Sequence, residues 1–369
     1  MSEMTNPPLL RIEDLRTYFY SRVKRAFVRS VDGVDLEVLR GETLGIVGES
    51  GSGKSVTMLS AMGLVTTTPG VITGKVTFYG GETPQNLLEG LDAHVNVERR
   101  DGRIMQASKD NQAWQKQADQ NLRDIRGGKI SMIFQNPRAA LNPFETVGKQ
   151  IAESVRLHTG IKGAAEAKEK ALYWLEQVRI DSPGMRYNNH PYGLSGGMSQ
   201  RAMIAMALAA EPQMLIADEP TTGLDATIQA RIVDLLDDLK ARLGMTMVLI
   251  SHDIGVISRL SDRIAVMYGG RVMETGPADD VLDEHADGHP YTRALLSSTP
   301  RPENVTASGH LPAIEGEVLD TINVPPGCRF KARCQRMNDA VRARCDSREP
   351  DMFEIAPGRR IRCWLYSPQ

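Results

Sequence analysis

No run of this 369-residue sequence stays apolar for the roughly 20 residues that a membrane-spanning helix requires. The best candidates, such as Met245–Ile250, are the length of one strand. The opening MSEMTNPPLL lacks the basic patch and apolar core of a secretory signal, so the chain is expected to meet a membrane only through a partner. Charge of one sign is also missing. Lys and Arg number 44 against 46 Asp and Glu, a net −2 that speaks against wholesale nucleic-acid binding. Four cysteines are too few for a disulfide scaffold in a chain of this size, and all of them lie between Cys328 and Cys363. What is present in quantity is hydrophobic residue, 41% of the chain, ample for a packed core. The length suits one large domain with a smaller one attached.

The pattern along the chain is α/β. Thr43–Val47, Met214–Ala217 and Met245–Ser251 are short apolar runs followed by glycine or acid, as buried parallel strands are. Ala165–Arg179 and Thr227–Leu243 have helical spacing with charged faces, and Ile264–Gly276 predicts a hairpin turning at Gly269-Gly270. From about 80 to 122 the sequence is polar, rich in Gln, Asn and Asp, and reads as an insertion or long surface excursion. Past Pro300 the composition shifts to Pro, Gly, Arg and Cys, which predicts a second, smaller unit.

Gly48-Glu-Ser-Gly-Ser-Gly-Lys-Ser55 fits G-x-x-x-x-G-K-[ST] between a predicted strand and a predicted helix. In that setting Gly48, Ser50, Gly51 and Gly53 let backbone N–H groups wrap phosphate oxygens, and the helix N-terminus adds partial positive charge. Lys54 suits β- and γ-phosphate oxygens, and the Ser55 hydroxyl suits Mg²⁺. The strand Met214–Ala217 ends in Asp218-Glu219: one acid to hold Mg²⁺ and one to orient the attacking water, or both simply capping the turn Pro220–Gly223. Leu194-Ser-Gly-Gly-Met198 precedes a helical run and reads as a second anion cradle or as ordinary N-capping by Ser195.

Taken together, Gly48–Ser55, Gln135, Leu194–Gln200, Asp218-Glu219, Gly223–Ala226 and His252 resemble the ABC ATPase family in order and spacing. The resemblance implies an ATPase whose P-loop core carries a helical signature subdomain and an antiparallel β subdomain. Glu219, His252 and Gln135 are then the catalytic residues, and Mg²⁺ is held through Ser55, Gln135 and Asp218. Ser195, Gly196 and Gly197 form the signature that reaches ATP on a second subunit, with Asp225 in the D-loop at the dimer interface. Adenine is expected to stack on Phe19 or Tyr20, for which packing into a core is the alternative. Gly223 stands where the family often has alanine and Ser199 where it often has a basic residue. Neither change removes a hydrolytic group.

Asn136–Pro143, His289–Leu296, Leu311–Gly316 and Pro325–Cys334 resemble, more narrowly, the ATP-binding subunits of the oligopeptide/dipeptide/nickel importers. That resemblance implies two transmembrane permease subunits, a second ATPase subunit that is identical or homologous, and an extracytoplasmic substrate-binding protein reached through the complex. It places the chain at the cytoplasmic face of the inner membrane, with di- or oligopeptide as cargo and an oligosaccharide, opine or nickel chelate as alternatives. It also implies a [4Fe-4S] cluster on Cys328, Cys334, Cys345 and Cys363, with Zn²⁺ or unligated thiols as alternatives. The expected organisation is a nucleotide-binding domain over 1–270 (helical subdomain about 143–210, polar insertion about 80–122), a connecting segment over 271–305, and a four-cysteine domain over 306–369. A soluble DNA-repair or translation ATPase is disfavoured because the chain carries neither two cassettes nor a long coiled-coil insertion. A non-hydrolytic sensor is disfavoured by Glu219 and His252.

Overall fold

Eight strands form the central sheet of the computed structural model, which describes residues 7–65, 70–100, 103–299 and 313–368. The chain begins with β1 (Pro8–Ser21), β2 (Ala26–Leu39), β3 (Thr43–Val47), α1 (Lys54–Ala61) and β4 (Val71–Phe78). It continues through β5 (Gln85–Asn86), the hairpin β6 (Val95–Arg100) and β7 (Arg103–Lys109), α2 (Asn111–Leu122) and β8 (Ile130–Ile133). A helical block follows: α3 (Pro137–Ala140), α4 (Val147–His158), α5 (Ala164–Gln177), α6 (Pro183–Tyr187) and α7 (Gly196–Leu208). Then come β9 (Met214–Asp218), α8 (Ala226–Leu243), β10 (Thr246–Ile250), α9 (Ile254–Leu260), β11 (Arg263–Tyr268) and β12 (Arg271–Pro277). The chain closes with α10 (Ala278–Leu282), α11 (Pro290–Ser297), α12 (Asp339–Ser347), β13 (Phe353–Ala356) and β14 (Arg359–Ile361).

The central order is β13-β14-β12-β11-β3-β10-β9-β8, parallel from β11 to β8 and antiparallel beyond β11. Every residue of β3, β9 and β10 is buried, which is why these strands read as unbroken apolar runs. Alternate side chains feed two cores. Met214, Ile216, Val248 and Ile250 pack toward α1 and the second sheet, of order β2-β1-β4-β5. Leu215, Ala217, Met247 and Leu249 pack toward the helical block and α8. No helix among the described residues is long and apolar enough to cross a membrane.

The polar stretch from about 80 to 122 is not a loose surface excursion. Leu87, Leu88 and Leu91 are buried, and α2 sends Trp114, Ala118 and Leu122 into the same core as α1. One apolar residue per turn at four-residue spacing suffices to dock this helix, and the Gln, Asn, Asp and Lys between them hide the stripe. The β6–β7 hairpin packs on Tyr18 and Phe27, on a separate small cluster.

The tail does not stand apart from the core. β14 pairs with β12 (Glu274 opposite Ile361), and Cys328, Phe330, Val341, Cys345 and Trp364 belong to the cluster that also holds the helical block. Leu311 and Pro312 of the Leu311–Gly316 stretch, and 300–305 of the connecting segment, lie outside the described residues.

Candidate active site

The loop from β3 to α1 needs glycine at two places for steric reasons. A Cβ on Gly48 (φ +155°) would lie 2.2 Å from the Met267 carbonyl oxygen, and one on Gly53 (φ +101°) 2.2 Å from that of Ser30. α1 starts directly after Gly53 with no side chain capping it, which leaves its first N–H groups directed into the loop as an anion cradle. Lys54 is buried, and its Nζ donates to the carbonyl oxygens of Gly48 (2.8 Å) and Glu49 (3.1 Å). Burial lowers its pKa, opposed by the charges of Glu219, Asp218 and Glu49.

Asp218 ends β9 beside this loop, and the Ser55 hydroxyl donates to its Oδ1 at 2.7 Å. Burial raises the Asp218 pKa against the Ser55 hydrogen bond. A hydroxyl and a carboxylate meeting in this way are hard oxygen donors of the kind Mg²⁺ takes, and the Gln135 amide reaches the next residue, Glu219.

Glu219 draws the ends of three strands together. Its backbone is left-handed (φ +46°), and its N–H donates to the Ile250 carbonyl at 2.9 Å. Its Oε2 accepts from Gln135 Nε2 and from Thr222 Oγ1, each at 2.8 Å, while His252 Nδ1 lies 3.3 Å from Oε1. Burial alone would raise the Glu219 pKa; the hydrogen bonds from Thr222 and His252, with the charge of Lys54, outweigh it and lower the pKa below the usual value. Strained non-glycine backbone of this kind clusters at functional sites.

The structure thus gathers Gly48–Ser55, Gln135, Asp218, Glu219 and His252. Among the described residues no hydrogen bond or ion pair joins Ser195, Gly196, Gly197 or Asp225 to the phosphate loop. Ser195 Oγ accepts the Met198 N–H (3.3 Å) to cap α7, and Asp225 accepts the Ile228 N–H (3.0 Å) to cap α8. A Cβ on Gly197 would come within 2.8 Å of Ile228, so glycine there permits close packing of α7 on α8. A cleft lined by Gln135, Arg138, Gly196, Gln200, Thr222 and Leu224 opens beside the Ser195–Gly197 turn. Phe19 packs with the core that holds α1, whereas Tyr20 is 38% exposed and meets Phe27 edge-on at 5.2 Å.

Sequence reasoning missed three contributors. Thr222 stood in it only as part of a turn. Tyr291, whose hydroxyl accepts the Glu49 N–H at 2.8 Å, and Arg333, whose guanidinium grips the Glu49 carboxylate, lie in the importer-like stretches His289–Leu296 and Pro325–Cys334, where nothing in the sequence ties them to the phosphate loop.

The four cysteines are free; Cys328, Cys345 and Cys363 are buried and Cys334 is partly so. Burial pushes Cys328 up to about 12 and Cys363 up to about 11, each raised further by the other cysteines, and burial also raises Cys334 and Cys345. The Cys328 N–H donates to the Cys345 carbonyl at 2.8 Å. Among the described residues no three His, Cys, Asp or Glu side chains gather to hold a metal ion. The arrangement therefore gives a single zinc no support, and of itself none to an iron–sulfur cluster.

Residues 31–222 match the ABC transporter family, and residues 273–340 match the family described as oligopeptide/dipeptide transporter, C-terminal region. Over 99% of its length the chain is 42% identical to a probable peptide ABC transporter ATP-binding protein of Sinorhizobium fredii, covering 98% of that protein. It is 39% identical to the oligopeptide transport ATP-binding protein AppD of Bacillus subtilis, over 98% of both chains. Among solved structures it is similar to the ATP-binding cassette MJ0796 in a dimeric post-hydrolysis state bound to ADP and Pi. That likeness has a TM-score of 0.54 and 25% identity, and covers 73% of this chain and 98% of that one. The chain therefore belongs to the ABC transporter ATPases, an ATP-hydrolysing cassette that carries the C-terminal region of the oligopeptide/dipeptide transporters.

Proposed function

We propose that this ATPase powers peptide import, as one half of a nucleotide-sandwich dimer docked on two permease subunits at the cytoplasmic face of the inner membrane. The second half is an identical or homologous ATPase, and a substrate-binding protein delivers cargo to the complex from the other side. The observation that carries the chemistry is the convergence of Gln135, Thr222 and His252 on Glu219, next to the Ser55–Asp218 pair. Glu219, kept ionised by these partners, orients and polarises the attacking water, and His252 faces the γ-phosphate. Lys54 leaves its loop carbonyls to meet β- and γ-oxygens. Ser55, Asp218 and Gln135 hold Mg²⁺, which when bound neutralises charge on the phosphates.

In this reading Ser195–Gly197 of the opposite subunit close the site, with Asp225 at the same interface. Within one chain no hydrogen bond or ion pair among the described residues ties them to the phosphate loop, which supports action in trans. Phe19 is the adenine platform, because it lies on the α1 side of its sheet whereas Tyr20 sides with Phe27. Exposed Phe144 and Tyr192, in the helical block after Gln135, suit the permease contact. Peptide cargo follows the names of the relatives above; an oligosaccharide, opine or nickel chelate is the alternative.

The resemblance of the tail, with all four cysteines of the chain between Cys328 and Cys363, supports a [4Fe-4S] cluster on Cys328, Cys334, Cys345 and Cys363. A cubane takes one thiolate on each of four irons, so its ligands need not meet at one point. No step of hydrolysis runs through it. Iron and acid-labile sulfide near four each per chain, purified without oxygen, is the expected result, and their absence refutes this assignment.

Glu219→Gln should abolish turnover while ATP stays bound; surviving turnover would remove the base assignment. Capture of the tagged chain from membranes should recover two multi-span permeases. Recovery only as a soluble dimer would overturn the transport reading and leave the ATPase chemistry standing.

A further inference from the structure

Glu49 lies inside the phosphate loop and is held from three sides. Its N–H donates to the Tyr291 hydroxyl (2.8 Å), and its carbonyl accepts from Lys54 (3.1 Å). Its carboxylate takes both arms of Arg333, with NH1 at 2.7 Å from Oε2 and NH2 at 3.0 Å from Oε1. The Arg333 side chain is 3% exposed and anchored from behind by the carbonyls of Ile314 and Glu315, with Tyr268 and Phe330 against its face. A forked pair whose arginine is buried and whose glutamate is 22% exposed is held in one geometry, with its charges partly screened.

The same tail segment grips the loop's other flank. Arg329 pairs with Asp32 (2.6 Å) and donates to the Gly269 carbonyl, and the next residue's N–H, that of Gly270, donates to Ser52 in the loop (3.0 Å). Glu49 carries negative charge in a loop built to receive a polyanion, and that charge is among those felt by Lys54.

We propose that Arg333 is a positioning residue for the nucleotide site, acting through Glu49. It holds the loop in its cradle shape and keeps an uncompensated carboxylate from repelling the phosphates of ATP. The inference rests on Gly48–Ser55 being the phosphate loop. It assigns to the C-terminal region a direct part in ATP affinity, separate from whatever its cysteines hold.

The test is a charge cycle in the full-length chain, reading ATP titrations together with steady-state KM and kcat. Arg333→Ala should raise KM for ATP about tenfold while kcat changes less than about twofold, as one unshielded charge at partly screened range implies. Arg333→Lys, which keeps charge but loses the fork, should fall between. Adding Glu49→Gln to Arg333→Ala should restore most of the lost affinity. A merely structural arginine would lower the melting temperature with KM unmoved, or lower kcat and affinity together without rescue by Glu49→Gln; either outcome overturns the proposal. Glu49→Gln alone stands in should Arg333→Ala not fold. It should bind ATP at least as tightly as the parent, and a tenfold loss refutes the charge argument. If the parent chain itself fails to bind ATP, the loop assignment falls first.

Discussion

At the scale of single residues, Phe19 and Tyr20 are neighbours with opposite surroundings, and that difference separates the roles proposed for them. Phe19→Ala should weaken ATP binding by roughly tenfold or more, the usual worth of one aromatic platform under a base, while Tyr20→Ala leaves it within about twofold. Displacement of a fluorescent ATP analogue measures both, and an equal loss would refute the assignment of Phe19 alone. His289 is a second case. It is 1% exposed, its Nδ1 accepts the Tyr291 N–H at 3.0 Å, and burial lowers its pKa from 6.5 to about 3. Between those values the unfolded chain binds a proton that the folded chain refuses, so stability falls as pH drops from 6.5 toward 3. At pH 5 this single group should cost about 2 kcal/mol relative to pH 7 or above. Urea unfolding of the parent and of His289→Asn, at pH 7 and pH 5, isolates its share. Identical pH slopes in the two proteins would show that the ring does not stay neutral.

At the scale of elements, the join between β12 and β14 rests on a buried ion pair, with Arg359 Nη2 2.8 Å from Glu274 Oε1 and Glu274 fully buried. Arg359→Ala strands that carboxylate and should destabilise the chain by about 3–5 kcal/mol in denaturant unfolding. Replacing both partners by apolar residues should come close to neutral, and if both versions cost the same, the penalty is lost packing rather than an unpaired charge. β14 is also the kind of element that resists reading. Arg359-Arg-Ile361 is three residues with no period, and only its pairing with β12 and β13 makes it a strand. By contrast β3, β9 and β10 were legible because strands buried on both faces must be apolar throughout. α8 was legible from its 18 residues of helical spacing. α2 was not, since Trp114, Ala118 and Leu122 occupy so narrow a stripe. The site divides in the same way. Gly48–Ser55 and Asp218-Glu219 are contiguous, so their chemistry lies in the string itself. Thr222 looked like turn, and the Arg333–Glu49 contact spans 284 positions without any local pattern.

At the scale of the whole molecule, the tail is part of the cassette's architecture. Ending the chain at Thr299 would bare the β12 edge and remove Phe330, Val341 and Trp364 from the larger core, along with both arginines at the phosphate loop. Such a fragment should fail to accumulate as folded, soluble protein. A soluble fragment melting at the parent's temperature would show instead that the tail is a separable domain. The tail's two grips also have a bearing on how the protein is made. Asp32 meets Arg329 across 297 positions and Glu49 meets Arg333 across 284, so the loop leaves the ribosome long before its clamps are translated. Contacts of such long range are the slowest to form. A chain stalled before Arg329 already contains Glu219 and His252 yet lacks the two arginines that hold the loop, so an unfinished copy should bind ATP more weakly than the finished one.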